Sequence, residues 1–182
     1  MPLFLVRHAK AGKRSKWLED PANGDDDRKR PLDNKGILQA AALADRLADF
    51  APTLLLSSPF MRCVQTLQPL GATLGITVTS DERLAEDNSF EPILDLLESC
   101  PDNAVLCSHG DMIPMVVDAL ERRGMVVTGM RDSRKASVWV LERESGVIAR
   151  GHAWPPPTID SERLLLLLEL NRQTPSPLLV DS

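Results

Sequence analysis

Leu3-Phe4-Leu5-Val6-Arg7-His8-Ala9 is the stretch from which the rest of the chain can be read. A short unbroken apolar run stops at an arginine and a histidine. Such a run, bounded by polar residues, reads as a strand buried on both faces. Strands of that kind belong to parallel sheets covered by helices. Open α/β sheets bind ligands outside the carboxyl ends of their strands, where Arg7 and His8 stand. Two further apolar runs repeat the arrangement: residues 53–56 lead into Ser57-Ser58-Pro59-Phe60-Met61-Arg62, and residues 104–107 into Ser108-His109-Gly110-Asp111.

Helical patterns separate these runs. Asp33 is a good N-cap ahead of apolar positions at Ile37, Ala40, Ala41, Ala44, Leu47 and Ala48. Ser58 can cap a second helix with Pro59 in its first turn. That helix carries Met61, Val64, Leu67 and Leu70, and Pro69 bends or shortens it. Residues 76–79 read as a β-branched strand, and residues 92–98 and 112–122 as helices. Residues 9–32, 81–90 and 124–135 read as loops. Residues 137–141 and 147–152 form a hairpin turning at Glu144-Ser145-Gly146. The alternation predicts an α/β fold: a mostly parallel sheet with helices on both faces and an antiparallel edge hairpin. Residues 1–154 are expected to form one domain. Residues 155–182 are expected to be a Pro-rich spacer, a short apolar helix over 161–170 and a flexible tail.

Composition narrows the function classes. A chain of 182 residues, 43% hydrophobic and 26% charged, is ordinary for a globular protein. At this size folding buries about 70% of the surface. A disordered chain, a collagen-like chain and a disulfide scaffold are excluded. The net charge of −5 gives no global reason to bind a nucleic acid polymer. Arg7, Lys10, Lys13, Arg14, Lys16, Arg28, Lys29, Arg30 and Lys35 nevertheless crowd the first fifth of the chain. A basic rim on an acidic body suits a small anionic ligand; a solvated loop offset by Asp25, Asp26 and Asp27 is the other reading. Cys63, Cys100 and Cys107 show neither a CxxC pair nor zinc spacing. No metal and no cofactor is expected, and reduced thiols point to a cytoplasmic setting. No stretch approaches the ~20 apolar residues of a membrane span, and the first apolar run is too short for a signal peptide.

The strand ends carry the chemistry. Two histidines and two arginines converging on one cleft make a cationic pocket sized for a phosphate or carboxylate. A neutral imidazole can attack phosphorus, and a phosphohistidine splits one hard transfer into two steps. Guanidinium groups grip phosphoryl oxygens bidentately and stabilise charge on them in the transition state.

Leu5-Val6-Arg7-His8-Ala9 resembles the Arg-His-Gly/Ala signature of the histidine phosphatase (phosphoglycerate mutase-like) superfamily. Residues 57–66, Ser-Ser-Pro-Phe-Met-Arg-Cys-Val-Gln-Thr, resemble its second signature, and Ser108-His109-Gly110-Asp111 its third. Three signatures in the family's order are strong evidence where one triplet would be weak. The resemblance covers roughly residues 1–152. The short chain, with residues 7–12 (Arg-His-Ala-Lys-Ala-Gly), Trp17, Asp27-Arg28, Arg30-Pro31-Leu32-Asp33, Gly36 and Gln39-Ala40, is most similar to the SixA-type branch and to the phosphatase domain of actinobacterial Nudix fusion enzymes.

The resemblance implies residue roles. His8 is the phosphorylated nucleophile, and Arg7, Arg62 and His109 complete the phosphate pocket. Leu84-Ala85-Glu86 fits the position where larger relatives carry a proton donor, with Asp87 and Asp111 as fallbacks. Lys10, Arg14, Arg30 and Lys135 are rim candidates for substrate binding, joined by Ser58 and Gly110 from the signatures. Asp25-Asp26-Asp27 reads as a solvated acidic loop, Trp17 as cover, Cys63 as core packing and His152 as structural. The implied activity is a metal-independent phosphohydrolase. Its substrate would be a phosphohistidine protein or a phosphorylated small molecule, phosphoesters and nucleotide polyphosphates included. The contrasting reading is a regulator that holds a phosphorylated ligand without turnover. The C-terminal helix would offer a surface for weak self-association.

Overall fold

The computed structural model describes residues 1–159. The expected helix over 161–170 and the tail after it lie outside the described residues. The strands are β1 (Pro2–Arg7), β2 (Leu55–Ser57), β3 (Val78–Ser80), β4 (Val105–Ser108), β5 (Val126–Thr128), β6 (Val138–Glu144) and β7 (Val147–Trp154). The α-helices are α1 (Arg14–Glu19), α2 (Asn34–Ala48), α3 (Met61–Leu74), α4 (Glu91–Ser99) and α5 (Met112–Arg122). One sheet runs in the order β3-β2-β4-β1-β6-β7-β5. β2 and β4 pair in parallel, as do β4 and β1, while β6 is antiparallel to both β1 and β7.

Strand alternation builds two cores. Leu3, Leu5, Leu106 and Leu141 face one side and pack with Ile93 and Leu97 of α4 and Val116 and Val117 of α5. Phe4, Val6, Val105 and Val140 face the other and pack with Leu43 and Leu47 of α2 and Leu67 and Leu70 of α3. Each of these leucines, fully removed from water, contributes about 2 kcal/mol. Helices on both faces explain why β1 and β4 have no polar face. No helix among the described residues is long and apolar enough to cross a membrane.

Several local expectations are corrected. The hairpin turns at Ser145-Gly146, both at positive φ, but it is not the edge. β5 lies inside the expected loop 124–135 and pairs in parallel with β7 beyond it; three residues were too short a run to register as a strand. The expected loop 9–32 contains α1 and two turns of 3-10 helix. In α2, Ile37 faces solvent, while Leu38 and Leu43 are buried. Asp33 does cap α2, accepting from the Gly36 N–H at 2.9 Å. Ser58 does not cap α3, which begins after Phe60 and runs through Pro69 to Leu74. One missing hydrogen bond at Pro69 is tolerated inside a helix packed along its length on α2 and the sheet.

Candidate active site

The register of the central strands aligns the polar ends. Arg7 pairs with Ser108 and Ser57 with Cys107, so β2, β4 and β1 finish at one level. The His8 N–H donates to Ser108 O at 3.0 Å, and the Ser58 N–H to Cys107 O at 2.9 Å. The His8 and His109 rings come within 5.3 Å, centre to centre. The antiparallel entry of β6 adds a fourth element, because the Arg7 N–H donates to Ser137 O. Lys135, just before that strand, therefore crosses the end of β1.

His8 is buried and oriented. Nδ1 lies 2.8 Å from the Ala9 carbonyl, which can only accept. Nδ1 therefore carries the proton, and the lone pair sits on Nε2. Nε2 meets the Lys135 ammonium at 2.9 Å. Burial, then the charge of Lys135 and the proximity of His109, pushes the His8 pKa down to about 2. The imidazole is therefore neutral across the physiological range.

Arg62 is 1% exposed. Its NH1 donates to the Asp27 carbonyl at 3.0 Å and lies 3.2 Å from the Asp27 carboxylate; its NH2 donates to Glu86 Oε1 at 2.6 Å. Arg62 Nε and Arg7 Nε are buried donors with no acceptor among the described residues. Buried donors of that kind call for a ligand or a structural explanation, and a phosphoryl group carries the oxygens to meet both. His109 Nε2 lies 2.8 Å from Ser58 Oγ and 3.5 Å from Cys63 Sγ. Its Nδ1 is 3.2 Å from Glu86 Oε2, an ion-pair separation whose angle falls outside hydrogen-bond geometry. Burial opposes charge on His109, but contacts with Cys63 and Glu86 outweigh it and raise its pKa. Glu86 is held below the usual carboxylate range, first by His109 and, against the effect of burial, by Arg62.

Several residues take places in the site that the sequence reading did not give them. Asp27 is buried, not part of a solvated acidic loop: its carboxylate accepts from Arg30 Nε at 2.6 Å and faces Arg62. Arg30, expected on the rim, uses its donors on Asp27 and the Gly12 carbonyl. These contacts brace the loop. Arg14 is exposed and lies 3.8 Å from Asp27. Thr66 Oγ1 accepts from the Ala9 N–H at 2.9 Å, and Gln39 Oε1 from the Lys10 N–H at 2.9 Å. These two side chains pin the backbone just after His8. Cys63 packs in the core as expected but also touches His109. Trp17 covers its loop, donating to the Asp26 carbonyl. His152 accepts from Trp154 Nε1 at 3.1 Å, a structural contact.

Gly110 has a steric reason. A Cβ there would lie 2.3 Å from Arg7 Cζ, so the Arg7 guanidinium packs directly on the Gly110 backbone. Its NH1 donates to the Ser133 carbonyl. Gly110→Ala is expected to push the flexible guanidinium aside with little loss of stability. Misplacing a positioning group by about 1 Å can cost 10²-fold, so kcat/KM should fall about 10²-fold while the thermal melt stays nearly unchanged. A normal rate would mean that Arg7 does not act from this position.

A cavity of about 640 Å³ opens beside the site, lined by Arg7, Lys10, Lys35, Gln39, Arg134 and Lys135, with Pro156, Pro157 and Ile159 as an apolar wall. Lys10 is paired with Asp33 at 3.0 Å and Arg134 with Asp132. Among the described residues, no three His, Cys, Asp or Glu side chains are grouped to hold a metal ion.

Comparison with known proteins agrees with this geometry. Residues 3–91 match the model of the histidine phosphatase superfamily (branch 1). The chain is 32% identical over 161 residues to the 8-oxo-(d)GTP phosphatase of Mycolicibacterium smegmatis, an alignment covering 85% of this chain and 48% of the relative. The chain thus spans about half the length of that curated relative. Its fold is similar to the protein histidine phosphatase SixA complexed with tungstate (TM-score 0.63, 20% identity, 87% of this chain and 97% of that one). It is also similar to mycobacterial glucosyl-3-phosphoglycerate phosphatase with inorganic phosphate (TM-score 0.58, 19% identity, 87% and 97%). With two signatures inside the matched segment and the third aligned beside them on β4, the chain belongs to the histidine phosphatase superfamily.

Proposed function

We propose that the chain is a phosphohydrolase that works without a metal, through a phosphohistidine on His8, and that it acts on small phosphoesters or nucleotide polyphosphates. The neutral, oriented Nε2 of His8 supports the first part. A proton on Nδ1 leaves the Nε2 lone pair to form the bond to phosphorus. Arg7, Arg62 and His109 then neutralise the charge on the phosphoryl oxygens in a site dry enough for each contact to act strongly. Asp27 and Glu86 hold Arg62 from opposite sides, so its position is set before the substrate arrives.

The observation that favours a small substrate is the cavity. Its volume lies within the 300–1,000 Å³ typical of small-molecule sites, several times what one phosphoryl group fills. Five cationic side chains line it. Asp33 and Asp132 offset two of them, which leaves a positive cleft next to the nucleophile. A second anionic group on the substrate fits that cleft. The apolar wall of Pro156, Pro157 and Ile159 suits the body that carries it.

The 8-oxo-(d)GTP phosphatase relative is in keeping with such a substrate; phosphohistidine proteins, which the SixA likeness suggests, make less use of the cleft. The test is a panel assayed in chelator: nucleoside diphosphates and triphosphates, monophosphates, and a phosphohistidine peptide. Nucleoside polyphosphates are expected to give the highest kcat/KM, reduced about tenfold by Lys35→Glu. Preference for the phosphohistidine peptide would overturn the substrate assignment. Tight binding of every ligand without turnover of any would favour the regulator instead.

A further inference from the structure

The family resemblance puts the proton donor at Glu86, which in the unliganded site is engaged by cations on both oxygens. Both Glu86 oxygens face cations, Arg62 NH2 at 2.6 Å and His109 Nδ1 at 3.2 Å. Glu86, like His8, Arg62 and His109, does not line the cavity beside the site. Lys135 does, and its Nζ lies 2.9 Å from His8 Nε2. The lone pair of Nε2 points at that ammonium, because the Ala9 carbonyl holds the proton on Nδ1. In an in-line displacement the leaving oxygen sits beyond phosphorus on this same axis. A phosphoryl group entering between the two side chains drives the ammonium outwards, toward that oxygen.

We propose that Lys135 is the general acid and base of the reaction, an assignment that rests on the phosphohistidine reading of His8. In the first half, the Nε2 lone pair forms the N–P bond. The P–O bond to the leaving group breaks, its electron pair goes to the leaving oxygen, and that oxygen takes a proton from Lys135 Nζ. In the second half, the neutral Lys135 amine takes a proton from water. The water oxygen bonds to phosphorus, and the N–P pair returns to Nε2. One alcohol and one phosphate leave; Lys135 is again an ammonium and His8 again neutral.

The surroundings suit a lysine that gives and takes a proton. Burial, then the charges of Arg7 on β1, Arg62 on α3 and Arg30, lowers the Lys135 pKa to about 8, with Cys63 on α3 acting weakly in the opposite direction. His8 faces Nζ from β1, and Lys10, Lys35 and Arg134 face it across the cleft. A catalytic acid works best with a pKa near the operating pH. Arginine at this position would keep the charge but could not release a proton.

The experiment compares wild type, Lys135→Arg, Lys135→Met, Glu86→Gln and His8→Ala on 4-nitrophenyl phosphate and phenyl phosphate, with a thermal melt of each. A good leaving group needs little protonation and a poor one needs much. Both Lys135 variants are expected to lose about 10²-fold or more in kcat/KM on phenyl phosphate and much less on 4-nitrophenyl phosphate. Wild-type kcat/KM on phenyl phosphate should fall as pH rises through about 8, and the variants should lack that limb. Equal losses on both substrates, or full activity in Lys135→Arg, would overturn the proposal by making Lys135 a charge only. A leaving-group-dependent loss in Glu86→Gln alone would move the role to Glu86. Turnover surviving in His8→Ala would overturn the phosphohistidine reading itself, which no Lys135 result can do.

Discussion

Replacing His8 with alanine is expected to lower turnover of any phosphoester substrate by about 10⁴-fold or more, because removal of a covalent nucleophile leaves only binding and electrostatic assistance. The check is kinetic and chemical together. Rapid quenching of wild type and radiolabelled substrate in alkaline denaturant should trap acid-labile phosphate on the protein, and the variant should trap none. Phosphate trapped on the His8→Ala protein would identify a different nucleophile.

The same residue carries a pH signature in stability. In the folded protein the His8 pKa is lowered to about 2, chiefly by burial, while the unfolded chain titrates near its ordinary value. Between those values the unfolded state binds more protons, so stability falls as pH falls. The slope for one such group is about 1.4 kcal/mol per pH unit. Above about pH 6.5 the group adds no pH dependence. Acid denaturation followed by circular dichroism should therefore be less steep in the variant than in wild type. Parallel curves would show that His8 is not buried as a neutral ring.

Arg62→Ala should damage both rate and stability. Arg62 is the fully buried cation between Asp27 and Glu86. Removing it leaves two carboxylates without that partner, one of them buried and the other largely so. Breaking a buried ion pair from one side costs about 3–5 kcal/mol. Turnover should fall about 10³-fold through loss of a transition-state contact. The stability loss should shrink in acid. Glu86 has its carboxyl pKa lowered in the fold by His109 and Arg62, so its contribution is present above the unfolded carboxylate pKa and disappears as pH falls below it. The gap between wild-type and variant urea midpoints should accordingly narrow only as pH falls below about 4.5, the unfolded carboxylate value. A constant gap would mean that the cost is packing alone.

These two residues also show what the sequence made legible. His8 and Arg62 could be found because each stands at the end of an apolar run, beside residues whose chemistry needs explaining. The β1, β2 and β4 runs were readable for the same reason: strands buried on both faces leave continuous apolar segments. The Asp33 cap and the core residues Leu47, Leu67 and Leu70 followed from local chemistry and periodicity. β5 was not legible, since three residues at a sheet edge, partly exposed, have no pattern to detect. Ile37 was misplaced because a periodicity argument cannot tell which side of an alanine-rich helix meets the sheet.

Asp27 and Lys135 mark the boundary most clearly. In the sequence, Asp27 belongs to the branch resemblance but reads as one of three solvated aspartates, and Lys135 as a charge in a loop. Only packing decides that one carboxylate of the three enters the interior, between Arg30 and Arg62. Only the antiparallel entry of β6 beside β1 carries Lys135 across to His8, 127 positions away. The sequence by itself determined the fold class, the three strand-end signatures and the candidates for attacking or binding phosphorus, because burial pattern and functional-group chemistry are local properties. The tertiary structure alone decided which charges are paired, which proton sits on which nitrogen and which lysine faces the nucleophile. Those depend on distances of about 3 Å between residues far apart in the chain, and strand order and register, not sequence spacing, set such distances.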